Sequence, residues 1–513
     1  MLACYTNTLS VEPGESFTLF ASSSTKNCDL EIARVGGDRQ VVYTRADLEI
    51  GDHPIPPDVE IFGCDWPAAW SVTVGEDWAT GYYDIVLTSQ SGERANHFVC
   101  VRKAAGTVKA KAVLVLATNT YHAYNWWGGR NAYSDVVGLA TGALDLVTSM
   151  ERGVGVLSTR RPFPHGLLAM IKGAPRLMND GIRGFKETPV GPDPKFWQDH
   201  GYTTFDVPAG YLNKWEHAFV EWAAAVELEL DYLTDYDLDI NPAALDGYSV
   251  MLAVGHSEYW SGRQRDTVDA FVDGGGNLAV LSGNTSYWKV RWEADGKSMI
   301  CHKWKGFDAE PLAGADGTHM WSHPAFGKPE AALIGLSFLF GGYHRLGICV
   351  ARGSGGYTIY NDRHWALEGA DLAYGDQLGA DIPLLGYEND GCLFEFDDER
   401  LLKPIPQLGV PANLEIIGVA PCSYGEDLSL GYPAFLPAED LNVAAKVVYG
   451  NDEPATIRKL LRGHAVIASF KRGKGEVFNV GTTEWAHALN ARNPMIEQIT
   501  MNVLRRFGAF TAA

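Results

Sequence analysis

The chain has 513 residues, which is too long for one ordinary domain, so we expect two or three domains. A hydrophobic content of 46% and 15 Trp residues are typical of a globular protein with large buried cores. The formal net charge of −21 argues against nucleic acid and anionic membranes as partners, because both bind basic surfaces.

Residues 1–104 are predicted to form an all-β, immunoglobulin-like sandwich. Short runs of alternating hydrophobicity, such as residues 16–23 and 82–89, are separated by clusters of Gly, Pro, Asp and Asn. Several short strands at this spacing, without helical periodicity, indicate two packed antiparallel sheets. The small and basic residues at 105–111 are the predicted linker to the next domain.

Residues 112–513 are predicted to form an α/β domain with a mostly parallel sheet flanked by helices. Apolar runs at residues 112–117, 249–254 and 278–282 have no polar alternation, which favours strands that are covered on both faces. Segments with helical periodicity lie between these runs, and strands that alternate with helices indicate right-handed crossovers. Residues 290–450 have poor periodicity and are predicted to be an irregular insertion of strands and loops.

Polar and titratable side chains follow the three apolar runs directly. Two phenols follow the first run, an imidazole and a carboxylate the second, and a carboxamide the third: Tyr121, Tyr124, His256, Glu258 and Asn284. Because the carboxyl ends of parallel strands meet at one edge of a sheet, we expect these side chains to share one active site. Phenolate and carboxylate oxygens are hard donors, which suit a hard and highly charged ion such as ferric iron.

The sequence lacks the usual motifs of nucleophilic catalysis and of nucleotide binding. No Gly-x-Ser-x-Gly elbow is present, and no Cys follows a predicted strand at a comparable turn. No phosphate-binding glycine motif opens a predicted helix. These observations argue against a serine or cysteine nucleophile and against nucleotide binding.

Each candidate residue also has a simpler interpretation. Tyr121 and Tyr124 are compatible with aromatic packing at the top of a sheet. Glu258 is compatible with a charge at a helix N-terminus, where the helix dipole favours it. His256 suits either a general base or a residue that orients its neighbours, and Asn284 suits a turn.

Four segments resemble the large, catalytic subunit of N,N-dimethylformamidase and its relatives. They are NTYHAYNWWGG, GHSEYW, GGGNLAVLSGN with the YW that follows it, and GEVFNVGTTEWAHAL near the end of the chain. The resemblance implies a class I glutamine-amidotransferase-like α/β fold. It also implies a mononuclear ferric iron, held by two tyrosines and one glutamate, at which a formamide is hydrolysed.

The resemblance assigns roles residue by residue. Glu258 and Tyr121 match metal ligands, and Tyr124 is the expected second tyrosine ligand, with Tyr133 as the alternative to it. The two expected phenols lie only three residues apart, whereas the type enzyme has a long insertion between its tyrosines. Ser257 stands where the type enzyme has proline.

The catalytic residues that the resemblance implies are His256, Glu258 and Asn284. His256 would move protons, and Asn284 would stabilise the tetrahedral oxyanion. The favoured hypothesis is therefore an iron-dependent hydrolase that acts on linear amide C–N bonds. The alternative is a non-catalytic carbohydrate- or ligand-binding protein on the same fold.

The expected partner is a small amide, and the expected location is the cytoplasm. The sequence opens without a secretory signal pattern, and no apolar run reaches the roughly 18 residues of a membrane span. The eight cysteines form no Cys-x-x-Cys pair, which argues against a zinc cluster and suits reduced cysteines. The sequence does not decide whether the protein forms a homo-oligomer or binds a separate small subunit.

Overall fold

The computed structural model describes most of the chain, with gaps. The described residues are 1–140, 143–144, 148, 151–164, 166–168, 215–303, 317–344, 355–379, 381–382, 384–424 and 438–510. Within the predicted insertion, residues 304–316, 345–354, 380, 383 and 425–437 lie outside the described residues.

Two β-sheets form the N-terminal part of the chain and share one apolar core. Their strands are β1 (Leu2–Thr6), β2 (Ser10–Val11), β3 (Ser16–Ser23), β4 (Asn27–Val35), β5 (Arg39–Glu49), β6 (Ala68–Thr73), β7 (Gly81–Ser89) and β8 (Arg94–Val101). One sheet has the order β1-β3-β6 and the other β2-β8-β7-β4-β5. The alternation of β3 buries Phe17, which packs with Ile32 and Ile85 of the other sheet. The boundaries at 1–104 and 105–111 stay a prediction.

The five-stranded sheet also contacts the remainder of the chain. Tyr82 and Phe98 are fully buried, and they belong to the same core as Leu114 and Trp222. A short helix, α1 (Val59–Phe62), lies between β5 and β6 in the chain. It contacts the strand Val156–Ser158 in the remainder of the chain. The N-terminal sheets are therefore packed against the rest of the protein through an apolar interface.

One large sheet forms the centre of the rest of the chain. Its strands are β9 (Ala112–Leu116), β11 (Leu230–Thr234), β12 (Val250–Gly255), β14 (Asn277–Ser282), β17 (Ser337–Tyr343), β18 (Tyr357–Ile359), β19 (Gln377–Leu378), β20 (Glu388–Gly391), β23 (Glu415–Ser423), β24 (Arg462–Arg472) and β25 (Gly475–Asn479). Among the described residues the main order is β11-β9-β12-β14-β25-β24-β23-β17-β20, with β18 and β19 paired beside β23.

The predicted fold class, a mostly parallel class I glutamine-amidotransferase-like α/β sheet, is wrong. Strands β11, β9, β12, β14 and β25 pair in parallel, but β25, β24, β23, β17 and β20 pair antiparallel. The large sheet is therefore mixed and rich in antiparallel strands. An apolar run predicts that a strand is buried on both faces, but it carries no information about the direction of the neighbouring strand.

Helices and smaller sheets surround the large sheet. The remaining helices are α2 (Thr118–Tyr124), α3 (Val136–Ala140), α4 (Glu216–Ala225), α5 (Asp235–Ile240), α6 (Gly262–Gly274), α7 (Ala331–Ile334), α8 (Ala438–Tyr449), α9 (Pro454–Leu460), α10 (Trp485–Asn490) and α11 (Pro494–Arg506), with 3-10 turns at Pro324–Phe326 and Trp365–Leu367. The smaller sheets contain β10 (Val156–Ser158), β13 (Tyr259–Ser261), β15 (Trp288–Glu293), β16 (Ser298–Ile300), β21 (Phe394–Phe396) and β22 (Leu402–Pro404).

Local sequence explains where two of the long helices begin. The Ser261 hydroxyl accepts a hydrogen bond from the Gln264 N–H, and the Gln264 side chain accepts one from the Ser261 N–H. The Asn493 side chain caps the final helix by accepting a hydrogen bond from the Ile496 N–H, and Pro494 follows it, which suits a first helical position. Within the described ranges, no helix has the length and apolar character needed to cross a membrane.

Candidate metal centre

Two neighbouring strands of the large sheet, β12 and β14, deliver polar side chains to one edge. Strand β12 ends at Gly255, and His256 and Glu258 follow directly. Strand β14 ends at Ser282, and Asn284 lies just beyond it. Gly255 has a φ of +77°, and an added Cβ would lie 2.3 Å from the Cβ of Trp215, so only glycine fits at this turn.

Two carboxylates, those of Glu258 and Glu388, lie close to the His256 imidazole at this edge of the sheet. His256 Nε2 is 2.6 Å from Glu388 Oε2 and 3.3 Å from Glu258 Oε2. All three side chains are buried. Each offers one ligand atom, and these atoms lie within 4.8 Å of one another, so His256, Glu258 and Glu388 can hold a metal ion.

Two phenols lie against the two oxygens of Glu258. The Tyr133 hydroxyl donates to Glu258 Oε1 at 2.7 Å, and the Tyr124 hydroxyl donates to Glu258 Oε2 at 3.2 Å. The two hydroxyls are 3.4 Å apart, and the Tyr387 hydroxyl is also 3.4 Å from that of Tyr124. The centre therefore brings at least two phenols and one carboxylate within reach of a single ion.

The structure places the predicted ligand Tyr121 beside a different carboxylate. Its hydroxyl donates to Glu216 Oε1 at 2.5 Å, and Glu216 also accepts a hydrogen bond from the Ala117 N–H at 3.2 Å. Tyr121 and Tyr124 are both on α2, where three residues correspond to about 4.5 Å along the helix axis. The two phenols consequently meet different acids.

The predicted site residue Asn284 lies next to Glu388. Its amide nitrogen donates to Glu388 Oε2 at 3.1 Å. Its Oδ1 atom is buried and has no hydrogen-bond partner in the part of the chain that the structure describes. Its φ of +51° lies in the left-handed region, which Asn tolerates better than most residues.

Electrostatics at the centre favour a bound cation. Burial raises the pKa of Glu258 to about 7, an effect that His256 opposes and Glu388 reinforces. Burial, followed by the nearby charge of Glu258, raises the pKa of the Tyr124 and Tyr133 phenols well above the ordinary value. A cation would offset the repulsion between these oxygens and would favour phenolates, so the donor set fits a hard, highly charged metal.

Sequence reasoning missed Glu388 as a site residue. It begins the four-residue strand β20, inside the region of poor periodicity, whereas the predicted residues all follow long apolar strands. The resemblance gives Tyr133 only as the alternative to Tyr124, and Tyr133 lies in the loop between α2 and α3. Nothing in the sequence pattern near either residue indicated that it would reach Glu258 or His256.

Comparisons with known proteins identify the family. The sequence profile described as N,N-dimethylformamidase beta subunit-like, C-terminal, matches residues 29–498, which is nearly the whole chain. The chain belongs to this family, and the predicted resemblance is confirmed. A search of curated proteins finds no match.

A search of solved structures finds a weak structural similarity to a protein of another family. It is a crystal structure of the Paenibacillus sp. cycloisomaltooligosaccharide glucanotransferase complexed with cycloisomaltoheptaose, with a TM-score of 0.15 and 13% sequence identity. The aligned part covers 24% of this chain and 18% of the chain in that structure. A likeness this weak carries no argument about fold or function.

Proposed function

We propose that this member of the dimethylformamidase-like family is an iron-dependent hydrolase that cleaves the C–N bond of a small amide. The ligands that we propose are Tyr124, Tyr133 and Glu258. The observation that carries the proposal is that two phenol hydroxyls lie on the two oxygens of one buried carboxylate. Two phenolates and a carboxylate form a hard anionic set, which suits ferric iron.

This ligand set is preferred to the triad of His256, Glu258 and Glu388. His256 Nε2 and Glu388 Oε2 are 2.6 Å apart, an ion-pair distance at which the carboxylate favours the protonated imidazole. In the triad the metal would take the ring nitrogen that faces both carboxylates, whereas with Tyr124, Tyr133 and Glu258 as ligands that nitrogen stays available for proton transfer. In the proposed arrangement this pair stays intact beside the ion.

Bound at these ligands, the ion would polarise a carbonyl oxygen and acidify a water molecule. His256 would accept a proton at Nε2 from the attacking water and deliver it to the leaving amine. Glu388 orients the imidazole and favours its protonated form. The Asn284 amide nitrogen carries two hydrogens, and one of them suffices for Glu388, so the other can donate to the tetrahedral oxygen.

Aromatic side chains limit the class of substrate. The His256 ring lies 5.5 Å from the Tyr387 ring, 5.6 Å from the Tyr124 ring and 5.8 Å from the Trp215 ring, measured between centroids. All four side chains are buried. A wall of this kind excludes water and disfavours charged groups, so the proposed substrate is a small neutral amide such as a formamide.

The proposal is tested with a panel of formamides, acetamides and larger amides. The iron-loaded protein is incubated with each amide, and the released amine and acid are measured, with chelator-treated protein as the control. We expect release only from the iron-loaded protein and only from small neutral amides. Equal release after complete removal of iron, or no release from any amide by fully loaded protein, would contradict the proposal.

A further inference from the structure

We propose that contacts from helix α1 to the loop between Tyr124 and Tyr133 position the phenols of the metal centre, with Glu60, Arg130 and Arg161 as positioning residues. The segment concerned is residues 125–132, between Tyr124 and Tyr133, and is called the phenol loop. The inference rests on the proposed function, because it takes Tyr124 and Tyr133 as the ligands. It adds residues from outside the centre that determine how well the ligands are placed.

The buried side chain of Arg161 binds the backbone of the phenol loop. Its side chain is buried, and its Nη2 donates to the carbonyl oxygen of Asn125 at 2.8 Å. Its Nη1 donates to the carbonyl oxygens of Trp127 at 2.6 Å and of Arg130 at 3.3 Å. One rigid guanidinium thus holds three carbonyls of the loop in a fixed arrangement.

The N-terminal part of the chain holds the loop from the other side. Arg130, within the loop, donates through Nε to Glu60 Oε1, and Glu60 lies on α1 with only 3% of its surface exposed. The same guanidinium donates through Nη2 to Asp58 at 2.5 Å. Because the Glu60 carboxylate is buried, loss of this pair would leave a charge without its partner.

Shape reinforces the ion pair at this interface. Gly128 has a φ of +98°, and a Cβ at this position would lie 2.3 Å from Val59 Cγ1. The ring of Trp127 lies edge-on to Trp66 at 5.8 Å between centroids. The loop and α1 therefore fit together without space for a side chain at Gly128.

The position of the loop determines the position of a phenol. Tyr133 directly follows the loop, and its N–H donates to the Asn131 side chain at 2.9 Å. Its hydroxyl reaches Glu258 Oε1 at 2.7 Å. Metal sites tolerate ligand displacements of only about 0.2 Å, so a loop that moves would weaken the ion's binding without the loss of any ligand.

The test compares Glu60→Gln with Asp65→Asn in the full-length protein. Asp65 forms an ion pair with Arg160 at the same interface, but its side chain is 69% exposed and Arg160 is not in the phenol loop. Three quantities are measured: the Kd for ferric iron, the wavelength of the visible phenolate-to-iron band, and hydrogen–deuterium exchange of residues 125–133 in iron-free protein. We expect Glu60→Gln to weaken iron binding by ~10–100-fold, to shift the band and to accelerate exchange, with Asp65→Asn unchanged.

The outcomes separate this inference from the proposed function. Wild-type protein that binds no iron would overturn the proposed function, whereas the exchange measurement on iron-free protein would still decide whether Glu60 orders the loop. Glu60→Gln with the wild-type Kd, band and exchange would overturn the inference. Should Glu60→Gln not fold, Arg130→Lys replaces it, since it keeps the charge but lacks the planar fork. Unchanged iron binding and exchange in Arg130→Lys would then overturn the inference.

Discussion

His256 Nε2 lies 2.6 Å from Glu388 Oε2, although the two residues belong to distant parts of the chain. His256 follows a parallel strand of the large sheet, and Glu388 begins an antiparallel strand of the same sheet. Strand β20 is the last in the order of the large sheet, but a hydrogen bond from the Thr483 N–H to the Glu388 carbonyl oxygen at 3.3 Å holds its first residue beside the segment that follows β25. This position brings the proposed proton carrier together with the acid that orients it.

Glu388→Gln should lower kcat while iron content stays the same. The amide keeps nearly the same volume, but it cannot hold the imidazole in its protonated form as a carboxylate does. We expect a loss of ~10–100-fold, which is typical when an orienting partner is removed. Iron per chain and kcat are measured on the same preparation. Loss of iron in Glu388→Gln would instead favour the triad of His256, Glu258 and Glu388 as the ligand set.

Asn284→Gly should lower kcat more than it lowers stability. Glycine accepts the φ of +51° without strain, so the variant removes the amide group and leaves the backbone relaxed. Loss of one oxyanion donor typically costs ~10²–10³-fold in kcat. Asn284→Ala is the control, because it adds the left-handed strain of ~1–2 kcal/mol to the same loss of the amide. Wild-type kcat in Asn284→Gly would rule out a role in stabilising the tetrahedral oxygen.

Tyr121→Phe should reduce stability and leave the iron bound. The change removes the donor to Glu216, which is buried and has a pKa raised by burial to about 7. Loss of a buried hydrogen bond to a charged group costs about 1.5–3 kcal/mol, and Glu216 Oε1 would keep only the bond from the Ala117 N–H. Tyr248→Phe is the matched control, since Tyr248 donates to Asp231 at 3.2 Å in another part of the fold. Iron loss in Tyr121→Phe but not in Tyr248→Phe would restore Tyr121 as a ligand.

The contribution of Asp235 to stability should fall as the pH rises from about 5 to about 8. Burial raises the pKa of Asp235 to about 8, far above the ~3.9 of an exposed aspartate. In this window the folded protein keeps a proton that the unfolded chain has lost, so each rise in pH favours unfolding until the folded group titrates. The thermal midpoint Tm is measured across this range for wild type and Asp235→Asn.

Asp235→Asn should make the slope of Tm against pH more positive over this range, because asparagine does not titrate. The exposed Asp52 provides the control, and Asp52→Asn should keep the wild-type slope. The Asp235 side chain accepts hydrogen bonds from the Asn119 N–H at 2.9 Å and from Gln264 Nε2 at 2.7 Å, so a uniform decrease in Tm is compatible with the account. An unchanged slope in Asp235→Asn would show that Asp235 does not titrate as described.

Local structure could be predicted from the sequence, but the direction of the strands could not. The runs at 112–117, 249–254 and 278–282 correspond to strands β9, β12 and β14. A short, uninterrupted apolar run is most stable as a strand that is buried on both faces. Strands β17, β20 and β23 pair antiparallel with neighbours that are distant in sequence. Such pairing depends on the whole fold, and hydrophobic periodicity does not report it.

The candidate site could be predicted in part for the same reason. His256, Glu258 and Asn284 follow strands that sequence reasoning placed side by side, and the structure brings their side chains close to one another through Glu388. Residues 382–387, directly before Glu388, are apolar but contain Pro and Gly, so they do not match the uninterrupted runs from which the site was predicted. Tyr133 donates to Glu258 from the end of the phenol loop, and Arg161 binds backbone carbonyls of that loop. These are tertiary contacts, which no local sequence pattern encodes.

The central claim is that Tyr124, Tyr133 and Glu258 hold one ferric ion. The most direct measurement is the visible phenolate-to-iron band, recorded together with iron per chain for wild type, Tyr124→Phe and Tyr133→Phe. Tyr387→Phe is the control, because its hydroxyl lies 3.4 Å from that of Tyr124 but is not among the proposed ligands. We predict one iron per chain and a visible band in wild type and Tyr387→Phe, with loss of iron and of band intensity in each of the other two variants. Full iron content and an unchanged band in both Tyr124→Phe and Tyr133→Phe would contradict the account.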